Sequence, residues 1–130
     1  MKFTVSKTEI VKALSSTLGV VEKRQALPIL SNILLNVEEN NIFITATDLE
    51  SEVQTTCIPI NVESTGSTTA PAKKLNELCR LLPDGSEISI YLNGDKLSVE
   101  SGSGKYSIST LPSSDFPVFD VVSKNTEFTI

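Results

Sequence analysis

The 130-residue sequence predicts an α+β fold in which two helices lie side by side on antiparallel sheets. Three observations carry that expectation. Two stretches place apolar residues at helical spacing, and each is preceded by one strand-like run and followed by three more. Most of those runs alternate apolar with polar residues, the mark of sheets wet on one face. The order strand, helix, three strands therefore occurs twice, which indicates a duplicated β-α-β-β-β unit whose side chains have diverged.

The first unit opens with a strand at residues 2–5. Ser6-Lys7-Thr8-Glu9 then has capping-box spacing, so a helix starts there, Ser6 accepting from a first-turn amide and Glu9 reaching back. Ile10, Val11, Leu14 and Leu18 form the apolar stripe, with Glu9, Lys12 and Ser16 opposite and Gly19 as the expected stop. Leu27, Pro28, Ile29 and Leu30 are expected in the core. Strands follow at residues 33–37, 42–47 and 52–60, the first two joined through Glu39-Asn40-Asn41.

The second unit has its strand at residues 67–70 and its helix from Pro71, whose fixed φ and missing N–H suit a first helical position. Leu75, Leu78, Cys79 and Leu82 face inward. Lys73, Glu77 and Arg80 share the exposed face, Lys73 and Glu77 at ion-pair spacing, and Pro83-Asp84-Gly85 ends the helix. Strands at residues 87–92, 96–100 and 105–110 follow, connected by a tight hairpin at Asn93-Gly94 and by the Ser-Gly-Ser-Gly run at 101–104. Glu127-Phe128-Thr129-Ile130 then echoes Lys2-Phe3-Thr4-Val5. The expected organisation is one domain at residues 1–121 and, at 122–130, a linker and the first strand of a further copy.

Composition removes several functions. Without histidine there is no triad hydrolysis and no histidine-based metal chemistry. Cys57 and Cys79 are too few for a disulfide framework or zinc site and read as core thiols. No apolar run approaches the roughly 20 residues that span a bilayer, and the N-terminus lacks a signal-peptide core, so a cytoplasmic protein with no membrane partner is expected. The net charge of -5 is unevenly spread: residues 7–24 and 71–82 each sum to +2, leaving -9 elsewhere. Positive charge gathers where the helices are. Asp48, Glu50 and Glu52 are close enough in sequence to suggest a hard-cation or acid/base site. No partner base, nucleophile motif or phosphate loop accompanies them, so a solvated hairpin connection is preferred, with neither metal nor cofactor required.

Taken in order, FTV (3–5), LPILSNILL (27–35), TATDLESEV (45–53), APAKKLNELCRLLPDG (70–85) and STLPSSDFP (109–117) resemble the first domain of the bacterial DNA polymerase III beta subunits, the sliding-clamp family, across essentially the whole chain. The resemblance implies the DNA-clamp fold, three such domains per protomer, and two protomers closed head to tail around duplex DNA. It implies a noncatalytic processivity role, with polymerase III and clamp-loader contacts mainly on domains beyond this one. Arg24 matches a position that reaches the DNA backbone, with Lys23 beside it, and Lys73 lies on a helix facing the hole. Lys7, Lys12 and Arg80 are weaker candidates for the same role. Lys74, Lys96, Lys105, Tyr106 and Ile108 match the contact with the third domain of the neighbouring protomer. Ser103 stands where a basic residue occurs in some members, and Lys96 and Lys105 replace arginines, which implies looser charge pairing. The resemblance also makes Thr47-Asp48-Leu49-Glu50 a structural turn and a lone first domain a monomer. Two alternatives stay open: a protein-binding module with no DNA role, and a small hydrolase using Asp48, Glu50 and Glu52.

Overall fold

Each half of the chain builds an antiparallel meander and gives its first strand to the sheet of the other half. A computed structural model describes residues 1–21, 32–47, 51–102 and 104–116. The first half runs β1 (Lys2–Ser6), α1 (Lys7–Val21), β2 (Asn32–Val37), β3 (Ile42–Thr47), β4 (Glu52–Cys57) and β5 (Asn61–Ser64). The second runs β6 (Gly66–Pro71), α2 (Ala72–Leu81), β7 (Glu87–Asn93), β8 (Lys96–Ser101) and β9 (Gly104–Ser109), then a 3₁₀ turn at Ser113–Asp115. One sheet has the order β5-β1-β7-β8-β9 and the other β4-β3-β2-β6, with every pair antiparallel.

The exchange is visible in the registers. Val5 on β1 lies opposite Ile88 on β7, and Ala70 on β6 lies opposite Ile33 on β2. After each meander the chain returns to its own first strand. Ile60 N donates to Thr4 O at 2.7 Å, and Thr69 Oγ1 donates to Leu111 O at 2.7 Å. Phe3, Val5, Ile33, Leu35, Ile42, Ile44, Ile88, Ile90, Leu97 and Val99 are fully buried on the inner sheet faces, and Ile10, Leu14, Leu75 and Cys79 meet them from the helices. Burying one such large side chain contributes about 1.5–3 kcal/mol, so the alternation read from sequence is the main source of cohesion.

Several elements differ from expectation for identifiable reasons. The run at 52–60 is broken: Pro59 offers no N–H, so β4 ends at Cys57 and the chain changes sheets to form β5, a strand the sequence reading missed. α1 continues past Gly19 to Val21, since a glycine within a helix costs only about 1 kcal/mol relative to alanine. Pro71 is the residue before α2, not its first. The β7–β8 hairpin turns on Gly94 and Asp95, because Asn93 still pairs with Lys96 and Gly94 takes the left-handed φ of 66°. Half of the capping box forms, Glu9 N donating to Ser6 Oγ at 3.2 Å; the Glu9 carboxylate instead accepts from Ile58 N. Leu27, Pro28, Ile29 and Leu30, the domain boundary at 121 and the strand expected near 127–130 lie outside the described residues.

Lys7 is the largest correction. Its side chain is mostly buried, and Nζ donates to Arg80 O at 3.0 Å, Leu82 O at 2.6 Å and Asp84 Oδ1 at 3.0 Å. The ammonium therefore closes the C-terminal end of α2, where unpaired carbonyls and the helix dipole favour a cation. It is committed to joining the two halves and leaves the set of DNA candidates. Hydrogen bonds to a charged group contribute about 1.5–3 kcal/mol, so Lys7→Met is expected to lower stability by about 2 kcal/mol in urea unfolding. Cys57 and Cys79 are fully buried, and burial pushes both thiols up to about 12. Ordinary thiols in the unfolded chain ionise first, so their contribution to stability is complete below pH 9 and falls as pH rises toward 12. At pH 8 both should resist a thiol-specific chromophoric disulfide until urea unfolds the chain; rapid native labelling would contradict this.

Candidate nucleic-acid interface

α1 and α2 pack against each other, and the sheets support them from one side, α1 on β3 and β4 and α2 on β6 and β9. The opposite side is open. On α1 it presents Thr8, Lys12, Ser15 and Ser16, while Ile10, Ala13, Leu14 and Thr17 are buried. On α2 it presents Lys73, Lys74, Glu77, Arg80 and Leu81, with Ala72, Leu75, Asn76 and Cys79 buried. Arg80 Nη2 donates to Ser15 Oγ at 3.3 Å, bridging the two exposed faces. Helical periodicity thus divides each segment into a core stripe and a solvated stripe, and the helix contact aligns the solvated stripes.

Among the described residues, Lys12, Lys73 and Lys74 have no ion-pair or side-chain hydrogen-bond partner, and Lys73 and Glu77 do not pair despite their i, i+4 spacing. Among the described residues, Glu77 is the one exposed carboxylate on α2, and the half-buried Glu9 borders Lys12 and Ser16 on α1. Cations lacking local partners are available to an anion, although each such contact in water contributes only about 1 kcal/mol and is screened within about 10 Å at 0.1 M salt. Arg24 and Lys23 lie outside the described residues.

A second exposed region flanks α2. Among the described residues β9 is the outermost strand of its sheet, and the backbone groups of such an edge can pair with another chain. Lys105 is 64 % exposed and lies 3.6 Å from Glu100 Oε2. Lys96 Nζ donates to Ser109 Oγ at 3.1 Å. Tyr106 is 38 % exposed, and a Cβ at Gly104 would come within 3.3 Å of its ring, so that glycine makes room for the aromatic. Ile108 lies two residues from Tyr106 on the same strand face and is more deeply set, packing with the core cluster. Leu81, at the C-terminal end of α2, is 76 % exposed and was missed by the sequence reading. The available signal was its position off the inward stripe of α2.

Residues 1–120 match the protein family described as DNA polymerase III beta subunit, N-terminal domain. The chain belongs to this family. It is 43 % identical over 130 residues to the beta sliding clamp of Proteus mirabilis and 41 % identical to that of Escherichia coli K12, in each case across 100 % of this chain. It spans only 35 % and 36 % of those relatives' lengths. Among solved structures, the DNA polymerase III subunit beta of Pseudomonas aeruginosa superposes with a TM-score of 0.88 at 38 % identity, over 92 % of this chain and 32 % of that one. The Caulobacter crescentus pol III beta structure gives 0.89 at 36 % identity, over 95 % and 33 %.

In this beta-subunit domain the carboxylate hypothesis gains nothing from the geometry. Asp48 and Glu50 lie outside the described residues, and Glu52 is an exposed residue at the start of β4. Among the described residues no group of three acidic or thiol side chains is placed to hold a metal ion, and no helix is long and apolar enough to cross a membrane. The contrast between Lys7 and the open-face cations yields a direct check. Lys12→Glu and Lys73→Glu alter solvated side chains, so each should change stability by no more than about 0.5 kcal/mol in the urea experiment that reveals the loss from Lys7→Met.

Proposed function

We propose that this chain forms the first domain of a sliding clamp: a noncatalytic segment of a ring that encloses duplex DNA and keeps polymerase III on its template. The observation that carries this reading is the open helix face, where Lys12, Lys73 and Arg80 stand among hydroxyls in a member of the beta-subunit family. Phosphates attract such a face without any base being read, and neither helix carries an aromatic side chain on which a base would stack. Weak, sequence-independent attraction suits a protein that slides. Retention comes from enclosure. On the strength of the family resemblance, Arg24 and Lys23 are further DNA contacts.

Lys74, Lys96, Lys105 and Tyr106, joined by Leu81, are the side that meets a second copy head to tail. Exposed Leu81 and Tyr106 favour a protein contact there, and the ring reading already supplies one. The clamp loader and polymerase are met mainly through regions outside these residues, no cofactor is needed, and the protein works in the cytoplasm.

The test uses a clamp-length protein that begins with this chain, loaded onto nicked circular DNA. It should stay bound at salt concentrations that abolish binding of the 130-residue chain, and should leave when the circle is linearised. Combining Arg24→Glu with Lys73→Glu and Arg80→Glu should lower loading on the order of tenfold at low salt. Loading unchanged by the triple substitution would contradict a DNA-facing role for these residues.

A further inference from the structure

A chain of polar contacts crosses the outer face of the five-stranded sheet, one residue from each strand. Glu63 on β5 pairs with Lys2 on β1 at 3.5 Å. The Lys2 ammonium lies 5.2 Å from the ring centroid of Tyr91 on β7. Tyr91 OH donates to Glu100 Oε2 on β8 at 2.6 Å, and that same oxygen lies 3.6 Å from Lys105 Nζ on β9. Glu100 and Lys105 are directly opposite in the β8–β9 register. The Glu100 carboxylate is thus fixed from one side by a phenol and presents its charge to the edge lysine on the other. In keeping with this, Tyr91 first and Lys105 after it hold the carboxyl below the usual range, while Tyr91 and Glu100 raise Lys105.

We infer that Glu100, anchored by Tyr91, is a charge-balancing residue that limits how strongly the β9 edge attracts an acidic partner. The inference rests on the proposed head-to-tail contact. Charge complementarity names the occupant: the edge carries Lys105 and Lys96, so the partner that fits the proposed head-to-tail contact is an acidic surface of a second clamp-length copy. In approaching Lys105 that surface also meets Glu100, which repels it and already occupies the lysine. Such a contact is weaker than its lysines alone would make it, a useful property in a ring that must open and close.

The experiment compares Glu100→Gln, Lys105→Gln and the double variant in a clamp-length protein beginning with this chain. Sedimentation over a concentration series gives the dimer dissociation constant at low and high salt. Glutamine still accepts from Tyr91, so Glu100→Gln removes charge while keeping the anchor. It should tighten the dimer several-fold at low salt, with the gain shrinking at high salt, and the double variant should lose that gain because Lys105 is the group released. If Lys105→Gln weakens the dimer but Glu100→Gln fails to tighten it, charge balancing is wrong and the contact reading survives. If Lys105→Gln changes nothing, the edge is not the contact, and both ideas fall together.

Discussion

The helix face depends on the exchange of first strands between the two sheets. Because β1 pairs with β7 and β6 pairs with β2, neither meander has its full sheet without the other half. Each helix leaves the end of an exchanged strand, so the exchange fixes where both helices begin and brings them together in one layer. Lys7 reinforces this from the start of α1, holding the last carbonyls of α2. A duplicated sequence thus becomes one cooperative unit with two aligned solvated stripes.

The charge distribution acquires meaning only on that frame. In sequence, the cations of residues 7–24 and 71–82 are two separate groups within an acidic chain. In the fold, Lys12, Lys73 and Arg80 open onto the same side, and Lys7 is withdrawn into a structural role. What remains is mildly cationic and rich in hydroxyls. On the proposed reading such a face attracts a polyanion without gripping it, because exposed charge contacts are individually weak and screened by salt. The outer sheet face follows a different principle, with Lys2, Glu63, Glu100 and Lys105 balancing one another across the strands.

Periodicity made most of the fold legible. Ile88 and Ile90, or Leu75 and Cys79, identified buried faces because burial of apolar surface dominates the energetics and imposes its spacing on the sequence. What escaped depended on contacts distant in the chain. β5 holds few apolar residues and exists because β1 offers it a free edge. Lys7 looked like any helix-face lysine, since its partners lie more than 70 residues away. The tight hairpin was placed correctly while its turn residues moved by one, because the Asn93–Lys96 pairing fixes the register.

The central claim is that the paired helices, not the outer sheet faces, are the surface that meets DNA. An NMR titration of this chain with a short duplex at low salt tests it directly, using amide and lysine shifts to map the contact. Shifts should concentrate on α1 and α2, with Lys12, Lys73 and Arg80 most affected, and disappear as salt is raised. Shifts confined to Lys2, Lys96 and Lys105, with the helices unchanged, would contradict it.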